Sequence, residues 1–224
     1  MKVFLVKDLL AANEEMAREN RSLLKQYGLI ALNLIGGPGA GKTTLLEKTV
    51  TALSNRLRFG IIEGDICTSR DAERLARLGV EVIQINTGGA CHLDAAMVGR
   101  VLRELSLAEL DLIIVENVGN LVCPAEFDLG EDIKVAVFSV TEGSDKPAKY
   151  PLVFQQAKAC VLTKLDLLPY TDFDLDGVLK EIAQINPALK VFPLSARTGE
   201  GMGAWYEWLR CQAHAHRELA PAFS

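Results

Sequence analysis

Short apolar runs alternate along the chain with longer stretches in which apolar positions recur every three or four residues. The runs are "LIALNLIG" (29–36), "RFGIIEGD" (58–65), "VEVIQIN" (80–86), "LDLIIVEN" (110–117), "IKVAVFSV" (133–140), "ACVLTKLD" (159–166) and "KVFPLSA" (190–196). Each is short and rich in branched residues, which predicts a buried strand. Helical periodicity fills 42–57, 71–79, 92–105, 174–185 and 203–217. Ahead of the first strand, "DLLAANEEMARENRSLLKQY" (8–27) predicts a polar, amphipathic helix with Gly28 as its stop. Strands alternating with helices predict an α/β fold, a mostly parallel sheet with helices on both faces. The chain divides into an N-terminal helical arm, 1–28, and one domain, 29–224. Ligands of such sheets lie beyond the carboxyl ends of the strands, so the loops at those ends are where chemistry is expected.

One of these loops decides the class. After the first strand comes "GGPGAGKTT" (36–44), which fits G-x-x-x-x-G-K-[ST] through Gly36, Gly41, Lys42 and Thr43. Gly37, Gly39, Ala40 and Gly41 let successive backbone N–H groups point at a phosphate. Lys42 brings a cation to the β- and γ-phosphates, the Thr43 hydroxyl can ligand Mg²⁺, and Thr44 follows it in the opening turn of the helix. A plain glycine-rich turn is the alternative, but the position between a strand and a helix is the context that supports a P-loop NTPase.

The base is read elsewhere. "LTKLD" ends a later strand with Thr163, Lys164 and Asp166. A carboxylate there accepts from the guanine N1–H and 2-amino groups, a pair adenine does not offer. The Lys164 stem can cover the base while its charge stays in water. "SARTGEG" (195–201) supplies Ser195, Ala196 and Arg197, with the Ala196 N–H facing guanine O6. This set resembles the N/T-K-x-D and S-A-K/R signatures of GTPases. Most members carry Asn where Thr163 stands, so a weaker tie between the base loop and the phosphate loop is expected. Glu116 and Gly119 fit the loop that watches the γ-phosphate. Asp65 is placed to hold Mg²⁺ through water or to orient the attacking water, against the alternative of a simple turn cap. The candidate catalytic residues are thus Lys42, Asp65, Glu116 and Gly119.

Soft ligands share these loops. "TGGACHLDA" (87–95) carries Cys91 and His92 after the third strand, and Cys123 follows the fourth. Thiolate and imidazole suit Zn²⁺ and Ni²⁺ better than Mg²⁺. A lone Cys is otherwise a small hydrophobe and a lone His a surface residue. Three ligands leave a tetrahedral site one short, to be completed by water, a labile position or a second subunit. The five cysteines, Cys67, Cys91, Cys123, Cys160 and Cys211, are odd in number and widely spread, which argues against a disulfide framework. Cys67 is expected to be a plain thiol and Cys160 a core residue. Cys211, His214 and His216 are expected to be ordinary residues of the last helix.

The segments "GGPGAGKTT", "EGDICTSRDAERL", "GGACHLDA", "ENVGNLVCPAEFDLGE" and "TEGSDKPAKYP" together resemble the HypB family of hydrogenase nickel-incorporation GTPases, across residues 30–205. The resemblance implies a P-loop metallochaperone GTPase that uses GTP and Mg²⁺ and forms a homodimer favoured by GTP. It implies Ni²⁺ or Zn²⁺ on Cys91, His92 and Cys123 at or near the subunit interface. Its partners would be the nickel chaperone HypA and the [NiFe]-hydrogenase large-subunit precursor. The opening "MKVFLVKD" has neither the cysteine-rich nor the His-rich tract of some members, so a separate N-terminal nickel site is not expected. A urease-type nickel GTPase is the nearest rival, but its Cys-Pro-His stretch is absent. A GTP-dependent scaffold that moves no metal is the other.

Bulk properties narrow the setting. A length of 224 residues with 49% hydrophobic and 24% charged residues suits one globular α/β domain. A net charge of −5 argues against general nucleic-acid binding. No apolar run reaches the ~18 residues of a membrane span, and Lys7 and Asp8 break the opening stretch, so a cytoplasmic protein without an export signal is expected.

Overall fold

The computed structural model describes residues 6–66 and 69–219, with side chains from 10 to 216. Cys67 lies outside the described residues. Seven strands, β1 (Ile30–Ile35), β2 (Phe59–Asp65), β3 (Glu81–Asn86), β4 (Leu112–Glu116), β5 (Ile133–Ser139), β6 (Ala159–Thr163) and β7 (Lys190–Pro193), form one sheet in the order β3-β2-β4-β1-β5-β6-β7. Every pairing is parallel. The helices are α1 (Val6–Gln26), α2 (Lys42–Leu53), α3 (Arg70–Ala76), α4 (Ala95–Leu102), α5 (Cys123–Glu126), α6 (Lys146–Lys149), α7 (Pro151–Gln156), α8 (Leu175–Ile185) and α9 (Met202–Leu219). The short α5, α6 and α7 have no counterpart in the periodicity.

The predicted α/β class holds, and helices cover both faces. β1 is buried along its whole length, as expected for a central strand covered twice. Its Leu32 and Leu34 face a core built with Leu45, Leu46 and Val50 of α2, Leu75 of α3 and Trp205 and Leu209 of α9. Ala31 faces the other way, with Leu24 of α1 and Val98 and Leu102 of α4. Farther along that second face, Ile35 packs with Phe154 of α7 and Val178 and Ile182 of α8. Burying each such side chain contributes about 1.5–3 kcal/mol. Cys160 is fully buried in this layer, as expected.

α1 ends at Gln26, ahead of Gly28, and lies along α4. Its Asn13 and Asn20 clasp the first residue of α4: the Asn13 Oδ1 accepts from Ala95 N–H (2.8 Å), and the Asn20 Nδ2 donates to the Ala95 carbonyl (2.7 Å). The same two amides donate to the carbonyls of Asp128 and Leu129.

Two boundaries differ from the predicted ones for a physical reason. α4 starts at Ala95 rather than 92 because the Asp94 carboxylate caps it, accepting from Met97 N–H at 2.7 Å. Cys91, His92 and Leu93 therefore stay in the loop. β6 stops at Thr163 because Lys164 turns into the left-handed region, φ 60°, which few non-glycine residues adopt. Among the described residues, no helix is long and apolar enough to cross a membrane.

Candidate functional site

All seven strands point the same way, so the loops that carry the candidate residues emerge on one edge of the sheet. Beyond the β1 end a cleft of 460 Å³ is lined by Gly39, Gly41, Lys42, Thr43 and Thr44 together with Asp65, Glu116, Gly119 and Lys164. Residues from Gly39 to Lys164 thus meet as the motifs predict.

The 36–44 loop has the conformation its glycines permit. Gly39 and Gly41 sit at φ 75° and 93°, where a side chain would be strained, and α2 begins directly after Gly41. Lys42 is buried, and its ammonium donates to the carbonyls of Gly36 (3.0 Å) and Gly37 (3.4 Å). Burial pulls its pKa below the usual lysine range, while the nearby Glu116 and Glu142 carboxylates oppose that shift. Gly119 presses on the same loop, since a Cβ there would come within 3.0–3.1 Å of Pro38. Its lack of a side chain is what allows the two loops to meet.

Thr43 faces carboxylates. Its Oγ1 lies 2.8 Å from Glu116 Oε1 and 3.0 Å from Asp71 Oδ2. One hydroxyl proton cannot serve both. Among the described residues, the second oxygens of Glu116 and of neighbouring Glu63 are buried without a hydrogen-bond partner. Burial pushes Glu116 up to about 7 and, with the Glu116 charge, Glu63 up to about 8. Such a set of oxygen donors, crowded and under-satisfied, fits a hard divalent cation such as Mg²⁺. Asp71 was not found from sequence. It opens α3 in "RDAERL", and only its 3.0 Å approach to Thr43 distinguishes it from a helix-start acid. Arg74 anchors it, bonding Asp71 Oδ1 at 2.9 Å and both oxygens of Glu47. Asp65, at the end of β2, lines the same cleft.

The candidate base-reading residues lie on adjoining loops. Ser195 Oγ donates to Asp166 Oδ1 at 2.6 Å, and Arg197 approaches the other oxygen at 4.0 Å. Ala196 follows on the loop closed by Ser195 N–H to Glu200 O. The expected weakness at Thr163 is corrected: its hydroxyl donates to the Ala40 carbonyl at 2.6 Å and itself ties the base loop to the phosphate loop.

The three candidate soft ligands also converge. One donor atom each of Cys91, His92 and Cys123 lie within 4.8 Å of one another, and they are the only such cluster of three among the described residues. Cys91 Sγ lies 3.6 Å from His92 Nδ1. The His92 ring packs on Phe127, centroids 4.0 Å apart, and burial lowers its pKa, favouring the neutral imidazole that a metal needs. A hydrogen bond with Cys91 and partial burial raise the Cys123 thiol, and the Asn120 amide opposes them. Cys123 opens α5, and Cys211 on α9 bonds Glu207 instead.

With this geometry in place, likeness to known proteins becomes specific. The sequence profile described as CobW/HypB/UreG, nucleotide-binding domain, matches residues 30–193. The hydrogenase maturation factor HypB of Azotobacter vinelandii is 50% identical over 223 residues, 96% of this chain and 74% of that protein. The chain belongs to the HypB family. Two solved HypB structures agree in fold. The Helicobacter pylori HypB structure in complex with nickel superposes with a TM-score of 0.87 at 34% identity, covering 95% of this chain and 99% of that one. HypB from Archaeoglobus fulgidus gives 0.86 at 38% identity, covering 91% and 100%.

Proposed function

We propose that this HypB-family chain is a GTP-hydrolysing metallochaperone that assists nickel insertion into [NiFe]-hydrogenase, with metal binding tied to nucleotide state. One observation carries the proposal: a Cys₂His cluster and a P-loop cleft share the edge of one sheet, and the loop after β4 runs from one to the other. Glu116 faces Thr43 in the cleft, and seven residues later Cys123 joins Cys91 and His92.

Asp166, held by Ser195, reads guanine, with Lys164 over the base and the Ala196 N–H on O6. Lys42, Thr44 and the loop N–H groups of Gly39 to Thr43 hold the phosphates, and the Gly119 N–H meets the γ-phosphate. Asp65 orients the attacking water or reaches Mg²⁺ through water. When bound, Mg²⁺ would neutralise charge on the phosphate oxygens; Thr43, Glu116 and Asp71 are the residues that would hold it. Nickel is the cargo, with zinc as the competing metal on the same three ligands. The missing fourth ligand comes from water or a second subunit, in keeping with a homodimer favoured by GTP. HypA is the nickel donor, the [NiFe]-hydrogenase large-subunit precursor is the client, and the setting is cytoplasmic. In this scheme 29–224 is the GTPase domain and 1–28 an arm whose helix lies against it.

Asp166→Asn tests the base assignment. Ser195 continues to hold the amide oxygen, which turns the NH₂ toward the base. Loss of a charge-assisted bond costs about 1.5–3 kcal/mol, so GTP affinity falls about tenfold or more. Xanthosine triphosphate, whose C2 oxygen accepts, binds better relative to GTP. Unchanged GTP affinity refutes the assignment.

The coupling is tested on wild type by competing each metal against a chromogenic chelator, with GDP or a non-hydrolysable GTP analogue, at fixed protein concentration. The two affinities differ; a tenfold ratio corresponds to about 1.4 kcal/mol, within the usual range for linked sites. Equal affinities for both Ni²⁺ and Zn²⁺ refute it.

A further inference from the structure

The loop after β4 does more than carry Cys123. It holds the Cys91–His92 segment on both sides. Asn117 Oδ1 accepts from Leu93 N–H (3.1 Å), and Asn120 Nδ2 donates to the Cys91 carbonyl (3.3 Å).

The two asparagines are not equivalent. Asn117 is a fixed pivot. It is 1% exposed, and its Nδ2 donates to Asn33 Oδ1 (3.1 Å), whose own amide donates to Glu131 Oε1 (3.2 Å). Its backbone N–H donates to Leu34 O, extending the sheet by one residue. Asn120 stands farther out, half-exposed, and three segments meet on it. Its backbone pairs with Gly36, the first residue of the phosphate loop, in an isolated antiparallel bridge. Its Nδ2 holds Cys91 through the carbonyl. Its Oδ1 accepts from Val122 N–H (2.9 Å), the residue before Cys123. One side-chain amide therefore spans both cysteine-bearing segments, and the main chain of the same residue rests on the phosphate loop.

We propose that Asn120 is the positioning residue through which the phosphate loop sets the spacing of the metal ligands. The inference rests on the coupled GTPase function above and names its transmitting group. A shift of the 36–37 backbone moves the Asn120 main chain, and the side-chain amide carries that shift to Cys91 and Cys123 at once. The amide also reaches the thiol of Cys123 but supplies no ligand atom itself in this role, so its removal changes the response of the metal site and not the number of its ligands.

The experiment uses the full chain with Asn120→Ala and Asn120→Ser. Alanine removes both bonds and the contact with the Cys123 thiol, whose loss acts on the two nucleotide states alike. Serine can still accept from the N–H two residues on but is too short to reach the Cys91 carbonyl, and neither variant adds a charge or a metal ligand. Ni²⁺ affinity is measured in the GDP and GTP-analogue states, with the thiolate-to-nickel charge-transfer absorption recorded in parallel. The expected result is one bound Ni²⁺ per chain, thiolate absorption retained, and a ratio of the two affinities at least threefold closer to one than in wild type, in both variants. A purely structural role lowers both affinities by the same factor and keeps the wild-type ratio, and that result overturns the proposal. A wild-type ratio of one overturns the coupled function and this inference together. A wild-type ratio other than one that survives in both variants overturns the role of Asn120 alone.

Discussion

Lys42→Ala abolishes tight GTP binding, and steady-state GTP turnover of the purified protein falls at least about 100-fold. That scale is the loss of one preorganised donor aimed at developing charge. Two features make the effect large here. The Lys42 ammonium is buried and bonded to the Gly36 and Gly37 carbonyls, so it is held in place before any phosphate arrives. It is also a principal cation among the acidic groups Glu63, Asp71 and Glu116, and its charge restrains the upward shift that burial imposes on Glu116. Without it, a triphosphate entering the cleft meets uncompensated carboxylates. Circular dichroism and thermal melting check that the variant folds. Turnover at the wild-type rate by folded Lys42→Ala refutes the phosphate-loop assignment.

Cys123→Ala lowers Ni²⁺ and Zn²⁺ affinity by more than the ~10–100-fold that loss of an outer-shell partner costs, because on the proposed assignment a direct ligand is removed from a set of three. It also removes the difference between the GDP and GTP-analogue states. Cys91 and His92 remain adjacent and can still hold metal weakly, but neither belongs to the loop after β4. GDP affinity stays near the wild-type value, since the Cys123 side chain does not line the nucleotide cleft. The chelator competition described above reads both affinities. Wild-type metal affinity in Cys123→Ala removes that residue from the ligand set, and a preserved nucleotide dependence moves the transmission elsewhere.

The candidate site was legible wherever function is written in consecutive residues. The 36–44 loop, the Lys164–Asp166 pair and the Cys91–His92 pair each depend on neighbours in the chain, and the structure brings them to one edge as read. Asp71, Asn33, Asn117 and Asn120 were missed. An aspartate at a helix start is ordinarily a cap, and an asparagine near a strand end is ordinarily a turn former. Nothing local says that Asp71 meets Thr43 across 28 residues or that Asn117 meets Leu93 across 24. Thr163 misled for the same reason: its hydroxyl finds Ala40 across 123 residues, a partner invisible to a motif comparison.

The sequence by itself determined the seven strands, the α/β class and the glycine-rich turn, because apolar period, branched side chains and glycine conformations act within a few residues of chain. Only the tertiary structure decided the strand order β3-β2-β4-β1-β5-β6-β7. That order sets β4 beside β1, and so brings the loop after Glu116 against the phosphate loop. It also decided which polar side chains could be buried. Asn33, in the middle of β1, is fully buried and would be costly there without partners. Asn117 and Glu131 supply them from two other segments. Buried polar groups must be satisfied wherever a partner can be found. In this fold those partners come from distant parts of the chain, and they hold the loop that joins the cleft to the candidate metal ligands.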